Sequence, residues 1–346
     1  MYHAELENIV ILGTGKRVIN TVIPALLISS KFKYIDIVSR EKGKLIEIEE
    51  WDFSYKCINL KEIKRKQYKY LYLGIPNQFL YSVLKKSLEY LDPSNKVLII
   101  DTPIPITKNI FKLSKLIKQF KKVTILEDCL FLKPYSLAFN AKKAFGLGKP
   151  KKFNFFHSGF KYHAYAQVKK FFNINYFTLV FKFGGKNPIF SQIILRNLKF
   201  LSFIYEPRDY SVGKFIAIHE NGFLSDYKLQ TYSQNLEIFV KPNILKGQFT
   251  GFNIFRGDKL LNLNINNMKF NLNQNEYSSI FPYLKILAVS QFMDILITEQ
   301  ENPYTPAKAA YDSIVNGFIS RFGFFIDLPI PFSRHSIISL FLEKLF

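Results

Sequence analysis

Residues Ile9–Ser29 read IVILGTGKRVINTVIPALLIS: an apolar run, a Gly-Thr-Gly turn, two cations and a second apolar stretch. Strand, glycine turn and helix in that order make the first half of a βαβ unit. In such a unit Gly13 permits the tight turn, and Gly15 lets the backbone approach a pyrophosphate. The helix N-terminus beyond supplies oriented N–H groups and a partial positive charge. Gly13, Thr14, Gly15, Lys16 and Arg17 are therefore the expected phosphate turn. Val18 takes the third small position of the G-x-G-x-x-G pattern. An ordinary surface turn would use the same glycines, so the neighbouring elements carry the decision.

Those neighbours alternate. Apolar strands read at Ile9–Leu12, Tyr34–Val38, Tyr70–Gly74, Lys96–Ile100 and Val123–Leu126, and helical spacing fits Lys16–Ser29, Asn77–Tyr90 and Lys108–Phe120. Near-continuous apolar strands alternating with helices predict a parallel sheet covered on both faces. Right-handed crossovers make it a doubly wound domain. After Gly146–Pro150 the pattern changes to strand-like runs at Lys152–Phe156, Asn175–Phe183, Phe215–Ile218, Leu236–Val240 and Leu260–Ile265, with helices near His163–Phe172 and Tyr304–Phe318. The expectation is an α/β chain: a Rossmann domain over 1–148, then an α+β domain over 149–346 with a large, mostly antiparallel open sheet. The C-terminal helix is expected to pack back on the first domain.

Composition narrows the function classes. A 48% hydrophobic and 22% charged chain of 346 residues is globular and long enough for two cores. Two cysteines, Cys57 and Cys129, make no disulfide framework and no zinc spacing. The N-terminus lacks a basic leader, and no uncharged apolar run reaches about 18 residues. A cytoplasmic protein without a membrane span is expected. The net charge of +21 comes from lysines spread along the whole chain, the densest runs being Lys61–Lys66 and Lys142–Lys152. That spread argues against nucleic acid and for solvated faces, with an anionic ligand next.

The end of the second strand refines the ligand. An acidic residue about 20 residues past the glycines would meet a free ribose 2′-hydroxyl. Here the strand ends in Ser39-Arg40, and Asp36 falls two residues early. A hydroxyl beside a guanidinium suits a 2′-phosphate. NADP is thus favoured over NAD.

Those residues, with YLGIPNQFLYSVLKKSLEY, KVLIIDTPIPI and NPYTPAKAAYDSIVNGFISRFG, resemble the Gfo/Idh/MocA oxidoreductases, the glucose–fructose oxidoreductase and inositol dehydrogenase family. The resemblance implies a Rossmann domain followed by an α/β domain whose open sheet mediates homo-oligomerisation. It places Pro76 and Asn77 near the nicotinamide and puts Asp101 with the cofactor set. It also exposes a departure: Thr102 stands where the family carries its catalytic lysine. Threonine cannot act as a cationic acid at neutral pH, although it can hydrogen-bond a substrate.

Among the histidines, His163 sits early in a helix after the first strand of the second domain, as the family's catalytic histidine does. His157 is an alternative, and the Glu206–Tyr210 turn offers Arg208 for an anionic substrate. The leading expectation is an NADP-dependent oxidoreductase, a reductase of a sugar, sugar-nucleotide or similar carbonyl or imine compound. His163 and Thr102 are its catalytic pair. The alternative is a non-catalytic dinucleotide-binding sensor or regulator of the same fold.

Overall fold

The computed structural model describes residues 6–29, 31–41, 43–132, 135–136, 150–156, 161–172, 175–177, 179–183, 200–204, 212–220, 224–230, 237–245, 248–256, 259–261, 277–298, 304–328, 330 and 335–346. Its chain forms two compact units. One comprises Met1–Phe131, Lys285–Ser313 and Phe341–Phe346; the other comprises Leu132–Leu284 and Ile314–Leu340. The chain therefore re-enters the first unit twice after leaving it. The Gly146–Pro150 junction lies outside the described residues up to Pro150, which opens a strand.

The first unit is built on five parallel strands: β1 (Glu7–Leu12), β2 (Phe32–Val38), β5 (Tyr70–Leu73), β6 (Val97–Asp101) and β7 (Lys122–Leu126), in the order β2-β1-β5-β6-β7. β3 (Leu45–Ile48) and β4 (Phe53–Lys56) form a separate hairpin that the sequence reading missed. Ile9–Leu12, Tyr70–Leu73 and Leu98–Ile100 are almost wholly buried, as strands covered on both faces must be. Helices α2 (Leu80–Ser87) and α3 (Ile110–Ile117) bury Leu80 and Leu84, and Ile110, Leu113 and Ile117.

The helix expected over Lys16–Ser29 is not uniform. Val18–Val22 form a π turn, in which the Ile23 N–H donates to the Val18 carbonyl, and α1 follows as Ile23–Ser29. Pro24 supplies the reason. It has no N–H for the carbonyl four residues back, and its ring crowds that carbonyl. Widening by one residue relieves the clash.

Asp36 lies inside β2 and is 3% exposed. Its carboxylate accepts from Tyr55 Oη at 2.5 Å, Tyr68 Oη at 2.7 Å and Lys66 Nζ at 2.8 Å, tying the hairpin and the turn before β5 to the sheet. Burial would raise its pKa, but the bonds from Lys66, Tyr55 and Tyr68 outweigh that and hold it below the usual carboxylate range. A depressed carboxylate stabilises the fold above its unfolded pKa and loses that contribution as pH falls through the folded value. Asp36→Asn should therefore flatten the decline of stability below about pH 4, measured by urea unfolding across pH. An unchanged acid limb would show that other groups set it.

The second unit carries, among the described residues, a nine-stranded sheet. Its strands are β8 (Pro150–Phe156), β9 (Leu179–Phe183), β10 (Phe200–Ile204), β11 (Val212–Glu220), β12 (Leu224–Gln230), β13 (Glu237–Leu245), β14 (Gln248–Arg256), β15 (Lys259–Leu261) and β16 (Phe324–Ile326). The order is β15-β14-β13-β12-β11-β8-β10-β9-β16. Every neighbouring pair is antiparallel except β11 with β8. The expected parallel sheet and mostly antiparallel open sheet are both present. Among the described residues no helix is long and apolar enough to cross a membrane. Cys57 and Cys129 are buried free thiols.

Candidate functional site

β1 hydrogen-bonds to β2 on one side and β5 on the other, so the strand order reverses direction between β1 and β5. Ligands of open α/β sheets bind beyond the carboxyl ends at such a reversal. Gly13 stands there with φ +122°, its N–H donating to the Val38 carbonyl at 3.1 Å. A Cβ on Gly13 would lie 2.3 Å from the Gly74 carbonyl oxygen, so only glycine fits. The Gly15 position is the opposite case. It is exposed, and a Cβ there would meet nothing within 4 Å. Gly13 makes the turn, and the space beside Gly15 is open.

Val18 departs from the glycine pattern, and the structure supplies the compensation. A Cβ on Gly74 would come within 2.3 Å of Val18 Cγ2. The small residue that allows close helix–strand packing has moved from the helix to the end of β5. Gly74 was legible in YLGIPN only as part of a strand end.

Arg17 follows a different course from its neighbours in the turn. Its Nε donates to Asp101 Oδ2 at 3.1 Å and its Nη2 to Asp101 Oδ1 at 3.3 Å, while Nη1 donates to Asp128 Oδ2 at 2.7 Å. Lys285 Nζ lies 3.2 Å from that same Asp128 oxygen. Asp128 is fully buried. Burial works against the Arg17 charge, but Asp128 and Asp101 more than offset it and hold the guanidinium well above its ordinary value. Lys285 is likewise raised, with Asp128 overcoming burial. Next to them, burial and then Asp101 push the Tyr72 phenol upward. Burial and then Asp128 do the same for the Cys129 thiol. The cluster is a held ion network. It joins the glycine turn to the ends of β6 and β7.

The remaining residues of the first unit fall along the same carboxyl edge. Thr14 is half-buried and Lys16 exposed; Pro76 is exposed and Asn77 opens a short turn leading into α2. Thr102 follows β6, its N–H donating to the Leu126 carbonyl at 3.3 Å. Ser39 Oγ accepts from the Glu41 N–H, and Arg40 is exposed. Among the described residues no ion pair is formed by Lys16 or Arg40. Asp36 is buried and bonded to Tyr55, Tyr68 and Lys66. His163 belongs to the second unit, half-buried in the helix Lys161–Phe172. His157 and Glu206–Tyr210 lie outside the described residues, and His219 is on β11. Asp128 and Lys285 were missed from the sequence because nothing in their local patterns marks them.

No protein-family model matches the chain, and no curated protein is similar to it in sequence. Solved structures align with it over most of its length at low identity. An oxidoreductase from Thermotoga maritima is 14% identical, covers 99% of this chain and 100% of its own, and superposes with a TM-score of 0.59. A super-repressor mutant of Gal80p from Saccharomyces cerevisiae is 10% identical over 91% of this chain and 94% of its own, with a TM-score of 0.60. A scyllo-inositol dehydrogenase from Lactobacillus casei, solved with NAD(H) and scyllo-inositol, is 11% identical over 89% of this chain and 94% of its own, at 0.51. The chain has the fold of the Gfo/Idh/MocA-type oxidoreductases that its glycine turn and strand ends resemble.

Proposed function

We propose that the chain is a divergent member of that family and an NADP-dependent reductase of a sugar, sugar-nucleotide or related carbonyl or imine compound. The observation that carries the reading is the open space at Gly15, at the reversal point of the sheet and followed by the exposed Lys16. Lys16 and the helix it opens would hold the pyrophosphate. Ser39 and Arg40 would hold the 2′-phosphate, while Asp36 is engaged elsewhere and offers a 2′-hydroxyl no acceptor. Pro76 and Asn77 would border the nicotinamide. Arg17 and Asp101 would brace the turn rather than contact the ligand. When bound, the dinucleotide supplies a hydride. Thr102 would hydrogen-bond the substrate oxygen or nitrogen, and His163 would deliver the proton from a ring nitrogen. A cytoplasmic location and homo-oligomerisation through the open sheet belong to the same proposal.

Calorimetry with NADPH and NADH tests it. Arg40→Ala should weaken NADPH binding by about one to two decades while changing NADH little, as expected for the loss of a charged hydrogen bond of roughly 1.5–3 kcal/mol. Tighter binding of NADH than NADPH by the unmodified protein would reverse the cofactor assignment. For the chemistry, His163→Ala should lower turnover by about 10²–10⁴-fold with little change in NADPH affinity.

A second reading is a dinucleotide-binding regulator without catalysis. Thr102 in the lysine position favours it, and the Gal80p super-repressor mutant shows that a protein described as a repressor has this fold. NADPH binding without hydride transfer across a panel of sugar and imine substrates would select it.

A further inference from the structure

The amino-terminal edge of the five-stranded sheet, opposite the glycine turn, gathers lysines that are far apart in sequence. At the strand entries the Glu7 N–H donates to the Lys31 carbonyl, and the Lys69 N–H to that of Asn8. The Val97 N–H donates to the Lys69 carbonyl, and the Lys122 N–H to that of Lys96. Along the order β2-β1-β5-β6-β7, Lys31, Lys69, Lys96 and Lys122 therefore mark four strand entries, with Glu7 at the remaining one. At about 4.8 Å between strands, the row is about 19 Å long. Glu7 is already paired with Lys69. Lys121 adds an exposed cation beside Lys122, and Lys31 and Lys33 are exposed at the other end.

That other end also carries an aromatic platform. Tyr34 is 50% exposed, with Lys33 Nζ 5.2 Å and Lys66 Nζ 5.8 Å from its ring centroid. Lys66 keeps 53% of its side chain exposed while it bonds Asp36. A half-exposed ring with two ammonium groups within 6 Å of its centroid, at one end of the row of lysines, offers stacking for a base and charge for its phosphates. Among the described residues, Leu6 and Tyr34 are the exposed large apolar side chains at these entries.

We propose that this edge binds single-stranded nucleic acid, independently of the dinucleotide site at the opposite edge. The sequence argued against such a partner because its lysines are dispersed. A parallel sheet returns each strand to the same starting edge, so lysines one βαβ unit apart become neighbours.

The test is anisotropy of a labelled oligouridylate with the full chain, titrated at several salt concentrations. Lys96→Glu with Lys122→Glu should weaken binding at least about tenfold. The slope of log affinity against log salt should fall by about 1.4, at about 0.7 per phosphate contact. Tyr34→Ala should lower affinity about tenfold without changing the slope. The same charge change at Lys108→Glu with Lys112→Glu, at the start of α3 on the carboxyl side, should have a clearly smaller effect. Thermal unfolding checks that each variant is folded. Equal losses from both reversal pairs, no binding by the unmodified chain, or preference for phosphatidylserine vesicles would each overturn the proposal.

Discussion

Gly13→Ala is expected to lower the free energy of unfolding by about 2–6 kcal/mol, while Gly15→Ala should leave it within about 1 kcal/mol. Two effects add at Gly13. The backbone sits at φ +122°, where a side chain is strained by about 1–3 kcal/mol. A Cβ would also press on the Gly74 carbonyl at 2.3 Å, and overpacking of that kind costs about 1–3 kcal/mol. Neither applies at Gly15, where the added carbon meets open space. A larger residue at Gly15 should therefore keep the fold and abolish dinucleotide binding. Urea denaturation separates the two positions, and NADPH titration of folded Gly15→Val tests the second half. Undiminished binding by that variant would leave Gly15 with no role beyond the turn.

The Arg17 network should yield the other large effect. Arg17→Met removes the bidentate partner of Asp101 and one of two cations from the fully buried Asp128. Breaking a buried pair from one side typically costs about 3–5 kcal/mol, because the partner charge is left uncompensated. Arg17→Met combined with Asp128→Asn should cost less than the sum of the two single changes, and a double-mutant cycle measures the difference. Strict additivity would mean the groups do not interact. The network also sets an alkaline limb. Lys285 is held above its ordinary value, so its contribution is complete below the unfolded lysine pKa and is lost as pH rises through the folded one. Lys285→Met should remove that loss.

Much of the first unit was legible from local pattern. Apolar runs such as Ile9–Leu12 and Tyr70–Leu73 are buried on both faces and carry their own signature. The β3–β4 hairpin escaped because Leu45–Ile48 and Phe53–Lys56 are short and half-exposed, and they pair only with each other. The π turn at Val18–Val22 was foreshadowed by Pro24 inside the apolar stretch, although periodicity alone reads straight through it.

For the site, the glycines and strand-end residues were readable because a turn needs particular residue types at particular offsets. By itself the sequence determined the alternation of strands and helices, the glycine turn at the first crossover and Ser39-Arg40 at the end of β2. Each depends on residues within a few positions of one another. Tertiary structure alone decided that Arg17 faces Asp101 and Asp128, 84 and 111 residues away, and that Gly74 makes room for Val18. It alone gathered the dispersed lysines at one edge of the sheet. A charged or small side chain has no sequence period to announce its partner; the partner is set by which strand ends the sheet brings side by side.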